Sequence, residues 1–173
     1  MAEPGWGLSS LYHTVVNCRR LDPSVAFYQL LGFEILNDRR TVKWPEFVAG
    51  IFGMARAQGR GVLMVLPSDP DGPMIDLIEW LDPLAVFPDD AQVAATVPRI
   101  IAFRTRNVHE AYRILAAKGV RFTRDVYTPQ EALGIVGTVC CYDPNGNIIE
   151  LIELEPGVRH SRANEALATT SHG

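Results

Sequence analysis

The sequence is poor in the residues that would commit it to a redox or metal-rich class, with three cysteines and four histidines in 173 residues. An odd cysteine count with Cys140 and Cys141 adjacent makes a poor disulfide framework, so Cys18, Cys140 and Cys141 read as small core residues on strands. Positive charge is sparse as well. Sixteen Lys and Arg against 20 Asp and Glu give a net charge of -4, and the pairs Arg19-Arg20 and Arg39-Arg40 are too short to form a phosphate-neutralising stripe. A nucleic-acid partner is therefore not expected. No apolar run approaches the ~20 residues of a membrane span, and Met1-Ala2-Glu3-Pro4 lacks the basic-then-apolar pattern of a signal peptide. The expectation is a cytoplasmic protein without a membrane partner. What is plentiful is apolar residue, 47% against 21% charged, in a chain long enough to bury one core or two small ones. That excludes disordered and fibrous classes.

Turn and strand signals show that the chain is a repeat. The stretch Asp69-Pro70-Asp71-Gly72-Pro73-Met74-Ile75-Asp76-Leu77-Ile78-Glu79 aligns with Asp143-Pro144-Asn145-Gly146-Asn147-Ile148-Ile149-Glu150-Leu151-Ile152-Glu153 at a constant offset of 74, with Asp76 facing Glu150. Asp-Gly and Asn-Gly before an apolar, β-branched run are hairpin signals, because such turns call for positive φ. The first hairpin arms then fall at residues 61–66 and 136–142. Upstream, residues 11–18 read as a strand and Asp22 as the N-cap of a helix carrying Val25, Ala26, Tyr28, Leu30 and Leu31, stopped at Gly32. Residues 99–105, Asn107 and the stripe Val108, Ala111, Tyr112, Leu115 and Ala116 repeat that pattern, stopped at Gly119. Gly32 and Gly119 are 87 apart, 13 more than 74, so the first copy carries about 13 extra residues within 37–60. That insertion, holding Trp44, Pro45 and Phe52, reads as a cap over the sheet or as a plain surface loop. The resulting division is an N-terminal extension (1–10), a first module (11–81), a linker (82–97), a second module (98–155) and a loosely ordered tail (156–173) with a short helix around residues 163–168.

Two βαβββ modules, the run Asp22-Pro23-Ser24-Val25-Ala26-Phe27-Tyr28 leading to Leu31-Gly32-Phe33, a strand histidine at 13, and Asp143-Pro144-Asn145-Gly146 ahead of Ile149-Glu150-Leu151 resemble the vicinal-oxygen-chelate superfamily. That superfamily holds glyoxalase I, methylmalonyl-CoA epimerase, extradiol dioxygenases, fosfomycin-modifying enzymes and bleomycin-binding proteins. The resemblance covers residues 9–155 and implies an α+β fold, two tandem βαβββ modules forming a glyoxalase-like curved-sheet cup, with self-association into a homodimer.

The same resemblance implies that each module gives a metal one ligand from its first strand and one from its last. Carried onto this chain, the positions are His13, Asp76, Ile100 and Glu150. Ile100 has no donor atom, and Asp76 is one methylene shorter than the glutamate usual there. His109 starts a helix, and His160 and His172 sit in the tail, so no other histidine fills the gap. A two-histidine ferrous site is thus disfavoured, and with it extradiol dioxygenase and fosfomycin-transferase chemistry. What remains is a set of one histidine and two carboxylates, His13, Asp76 and Glu150, suited to one weakly bound divalent ion (Ni, Zn, Mn or Mg), with a metal-free state as the alternative. On a strand, residues two apart share a face, so Ile78 and Trp80 join Asp76, Ile152 joins Glu150, and Arg104 joins Ile100. Ile78, Trp80, Ile100 and Arg104 are accordingly the candidate substrate-binding residues. Glu150 is the candidate base, with Asp76 as the alternative where no metal is bound, and His13 is the proton partner. Glu79 and Glu153, near strand ends, read as solvent-facing.

The function expected from these residues is that of an isomerase or lyase on a small oxygenated metabolite or natural product, acting by proton abstraction next to a carbonyl. The alternative is a metal-free protein of the same fold that binds an antibiotic-like small molecule without turnover, for which Trp44, Trp80 and Phe52 would supply stacking surface.

Overall fold

In the computed structural model of the protein, the described residues are 10–87, 99–129 and 134–158. The chain divides into two compact units, Met1–Phe87 and Pro88–Gly173. The expected short helix around 163–168, and most of the expected linker, lie outside the described residues.

The first unit runs β1 (His13–Asn17), α1 (Leu21–Leu30), β2 (Glu34–Asp38), α2 (Phe47–Ile51), β3 (Gln58–Val65) and β4 (Met74–Asp82). Its four strands order as β1-β4-β3-β2, with β1 parallel to β4 and the other pairs antiparallel. The second unit runs β5 (Ile100–Arg104), α3 (Val108–Ala117), β6 (Ile135–Tyr142) and β7 (Ile148–Leu154), ordered β5-β7-β6 with β5 parallel to β7. The fold is α+β, two copies of one strand-helix-strands plan. Where the plan calls for another strand beside β6, the second copy has two isolated bridges, Phe122 to Cys141 and Tyr127 to Thr138.

Alternation decides which side of each sheet is covered. In the first unit Val16, Val62, Met64, Ile75 and Leu77 are buried on one face, and α1 packs against β3 and β4 with Leu21, Val25 and Tyr28 buried. In the second unit Val139, Cys141, Ile149 and Leu151 play that part, with Val108 and Leu115 of α3 buried. Cys18 and Cys141 are core residues as expected, burial pushing the Cys141 thiol up to about 11, while Cys140 on the opposite face is half-buried.

Three local expectations are corrected. The N-cap of α1 is Arg20, which makes no side-chain capping bond, and Asp22 lies inside the first turn. Glu79 and Glu153 are not merely solvent-facing. Glu79 Oε2 accepts from Leu21 N at 2.8 Å and Glu153 Oε2 accepts from Val108 N at 2.9 Å, so each caps the helix of its own unit from the last strand. Of the two hairpin glycines, Gly146 takes positive φ (84°) but Gly72 does not. At Gly72 an added Cβ would meet only the exposed Asp69 carboxylate, which can turn away. Asn107 caps α3 as expected, accepting from Glu110 N at 3.0 Å, and Gly32 and Gly119 end their helices at positive φ.

Candidate functional site

Strand register places the four positions singled out in the sequence. In the first unit His13 pairs with Met74 and Val15 with Asp76, so His13 and Asp76 are diagonal neighbours on the face opposite α1. In the second unit Ile100 pairs with Ile148 and Ala102 with Glu150, which sets Ile100 and Glu150 in the same diagonal relation. Ile100 therefore occupies in its unit the place that His13 occupies in the other. It is 57% exposed.

The two copies treat this face differently. Along β7 only alternate residues are buried, as in a sheet covered on one side, whereas Ile75, Asp76, Leu77 and Ile78 of β4 are buried in succession. The second cover comes from the insertion. Trp44 packs with Ala57 and Ile78 in a small core completed by Val48, Ala49, Met54 and Trp80. Of the two readings of residues 37–60, the cap over the first sheet is the one observed. Two glycines on β3 make room for it. A Cβ on Gly59 would stand 2.9 Å from Trp44 Cη2 and 3.0 Å from the Glu79 carbonyl oxygen, and one on Gly61 would stand 3.2 Å from Arg39 Nη2. Gly61 pairs with Ile78, and its counterpart in the second unit, opposite Ile152, is Thr138.

Through that gap the Arg39 Nη2 donates to Asp76 Oδ1, forming an ion pair with a carboxyl that is only 10% exposed. Burial pushes the Asp76 carboxyl above its ordinary value, and the Arg39 guanidinium and then His13 pull it back down. Beside it, His13 Nδ1 is buried without a hydrogen-bond partner, and so is Arg39 Nε. Glu150 has a neutral partner instead, Thr138 Oγ1 donating to its Oε1 at 2.9 Å. The carboxylates of the two copies are thus satisfied by different groups, a cation in one and a hydroxyl in the other.

The remaining candidate residues scatter. Ile78 is buried under Trp44, so its side chain forms the floor of the cap's core. Trp80 donates its indole N–H to Asn17 Oδ1 at 2.8 Å and stacks edge-on against Trp44 (5.4 Å between centroids) and Phe52 (6.2 Å). It also borders a recess of about 310 Å³ at the end of β4, shared with Cys18, Arg19, Leu84 and Phe87, where the Arg19 guanidinium lies 5.0 Å over the Phe87 ring. Arg104 is exposed and donates to the Val158 carbonyl at 2.9 Å. Arg39 was missed by sequence reasoning. The signal that points to it is the pair Gly59 and Gly61 on one face of a strand, the mark of something approaching the backbone closely.

A sequence model of the Glyoxalase/Bleomycin resistance protein/Dioxygenase superfamily matches residues 10–151. The chain belongs to this superfamily. Among solved structures of the superfamily fold, a glyoxalase family protein from Bacillus cereus matches with a TM-score of 0.70 at 19% identity, over 89% of this chain and 99% of that one. A mutant of the fosfomycin resistance protein FosX from Listeria monocytogenes, complexed with Mn(II) and 1S,2S-dihydroxypropylphosphonic acid, matches with a TM-score of 0.60 at 16% identity, over 87% and 95% of the two chains. TnmS3, an antibiotic binding protein from Streptomyces sp. CB03234, gives 0.58 at 18%, over 87% and 99%. A search of curated proteins finds no match. At such identities the likeness is one of fold.

Manganese in FosX raises the question of whether the residues here suit a divalent ion. Among the described residues of either unit, no three His, Cys, Asp or Glu side chains come together as a cation site. The first unit offers His13 and Asp76, and Asp76 is already neutralised by Arg39. The second offers Glu150 beside Ile100, which has no donor. A histidine nitrogen and a guanidinium-bound carboxylate do not fit a divalent ion, whose sites need several unencumbered ligands.

Proposed function

We propose that the protein is an isomerase or lyase that acts on a small oxygenated molecule by taking a proton next to a carbonyl, without a metal. The observation that carries this reading is the group on the face of the first sheet opposite α1: a buried carboxyl with a raised pKa, a histidine with an unpartnered ring nitrogen, and a guanidinium bound to the carboxyl. Raising a carboxyl pKa by burial makes it a better proton acceptor near neutrality. With Oδ1 held by Arg39, Asp76 Oδ2 takes the proton from substrate carbon, and the electron pair of the broken C–H bond moves onto the carbonyl oxygen as an enolate. The guanidinium faces that developing charge as a preorganised donor. His13 then carries the proton between carboxyl and substrate oxygen. Glu150, the carboxylate of the second sheet, is the other base the sequence supports.

The test is exchange of solvent deuterium into the α-position of a panel of small 2-hydroxy ketones, 2-oxo acids and thioesters, followed by NMR. The wild type should exchange at least one class. Asp76→Asn should slow exchange by about 10²–10⁴-fold, the usual reach of a general base, and His13→Ala by a smaller factor. If exchange survives in Asp76→Asn and disappears in Glu150→Gln, the base is in the second unit and the assignment to Asp76 is wrong.

A second reading, sequestration of an aromatic or apolar compound without turnover, is favoured by the recess of about 310 Å³ beside Trp80, a volume at the small end of ligand sites. It is supported by the likeness to TnmS3. Under it, ligands quench tryptophan fluorescence, Trp80→Ala removes the quenching, and no substrate exchanges deuterium.

A further inference from the structure

Within either unit the structure assembles no three-ligand cation site, yet the carboxyl at one of the superfamily's ligand positions already has a cation beside it. That cation is part of the chain. Arg39 directly follows β2, its N–H donating to the Gly61 carbonyl at 2.8 Å as Tyr127 donates to Thr138 in the second copy, and its guanidinium reaches Asp76 across the space left by Gly61, whose added Cβ would press on Nη2 at 3.2 Å and Cζ at 3.6 Å. In the second copy the corresponding residue is Thr138, and its carboxylate bonds to that hydroxyl. Arg39 is not spent on Asp76. Its Nε is buried without a partner, and His13 Nδ1, on the same face as Asp76, is also buried without one. Two orphaned polar atoms flanking one charged pair cost free energy unless a ligand completes them. A guanidinium offers a planar fork that matches two oxygens of a carboxylate or an enediolate, the same pair of oxygens that a divalent ion would chelate.

We infer that Arg39 is a resident cation standing in for a divalent ion, and that it makes the first unit a metal-independent receptor for a small ligand bearing a carboxylate or enediolate-like pair of oxygens. The ligand's oxygens accept from the Arg39 edge not engaged by Asp76, and His13 meets the neighbouring oxygen. This rests on the acid-base reading for the place of the site, and it names the class of substrate that the site takes.

The experiment reads binding and not turnover. Full-length protein, treated with EDTA and kept in it, is titrated with oxalate by calorimetry and by tryptophan fluorescence, and EDTA-free protein is titrated separately with Mn²⁺. Oxalate should saturate the wild type in EDTA, and Mn²⁺ should give no saturable signal. Arg39→Met should weaken oxalate by about tenfold or more, and Arg39→Lys, which keeps the charge and most of the stem, by less. Asp76→Asn should bind oxalate more tightly than wild type, because the guanidinium loses its internal competitor. That opposite sign is one that a merely structural Arg39 would not produce, and it does not depend on Arg39→Met being well folded. Stoichiometric Mn²⁺ binding that is lost in Asp76→Asn overturns the inference, as does oxalate binding that is absent from wild type or unmoved by both Arg39→Met and Asp76→Asn. If oxalate behaves as expected while no substrate exchanges deuterium, the receptor stands and the catalytic reading falls.

Discussion

Asp76 and Glu150 align at one offset in the sequence, yet they are different chemical objects in the fold, and the difference is made by a glycine. Gly61 leaves a gap that Arg39 enters, while Thr138 fills the same gap with a hydroxyl. Substitutions on β3 should separate the two things that these glycines do. Gly59→Ala places its Cβ against the Trp44 ring at 2.9 Å and a backbone oxygen at 3.0 Å, neither of which can swing away, so it should destabilise by about 1–3 kcal/mol in urea unfolding. Gly61→Ala meets the movable end of Arg39 first, so its cost in stability should be smaller and its effect on oxalate affinity larger. Asp76 also has a pH signature. Its folded carboxyl holds the proton more tightly than an unfolded one at 3.8, so the native state binds the extra proton, and the group's contribution to stability is greatest below 3.8 and is lost as pH rises through the raised value. The unfolding free energy of wild type relative to Asp76→Asn should fall with rising pH across that window and be level above it. A difference that climbs with pH would mean that the Arg39 pair outweighs burial.

At the scale of elements, the sequence spelled out β1, α1, β3, β4, β5, α3, β6 and β7, because each rests on short-range signals: alternation, an Asn cap, a glycine stop; it did not show the single turn α2, and the further strand expected beside β6 is reduced to two isolated bridges. It missed the contacts that join distant segments. Glu79 and Glu153 look solvent-facing when only their own strand is considered, yet each reaches a helix start more than 40 residues away in sequence, accepting from Leu21 N and Val108 N. The insertion was visible as a length excess, but which face it covers depends on Trp44 and Arg39 crossing to β3 and β4, and no periodicity records that. The caps yield a comparison. α1 has only Glu79 at its start, since Arg20 contributes no side-chain bond, whereas α3 has both Glu153 and Asn107. Loss of an N-terminal cap costs about 0.5–2 kcal/mol, so Glu79→Ala should fall toward the upper end in thermal unfolding and Glu153→Ala toward the lower. Equal losses would show that the two carboxylates contribute something other than capping.

At the scale of the whole molecule, the repeat sets two corresponding residue pairs on two sheet faces, and the pairs differ in two ways. One has Ile100, which carries no donor, and the other has a guanidinium at Asp76. The sequence showed the first difference directly, because register is carried by the repeat. It hid the second, because Arg39 is remote from Asp76 along the chain. Together they predict how the folded protein responds to cations. A ligand that binds only the native state adds RT ln(1 + [L]/Kd) to stability, about 2.7 kcal/mol when its concentration is a hundred times Kd. A resident divalent ion would therefore make the melting temperature fall with EDTA and rise again with Mn²⁺, Ni²⁺ or Zn²⁺. Here the melting curve should be the same in EDTA and in each of the three ions, and oxalate should raise it in wild type but not in Arg39→Met. A rise with one metal ion that His13→Ala abolishes would return the site to the metal-binding class and remove the reason for an internal cation.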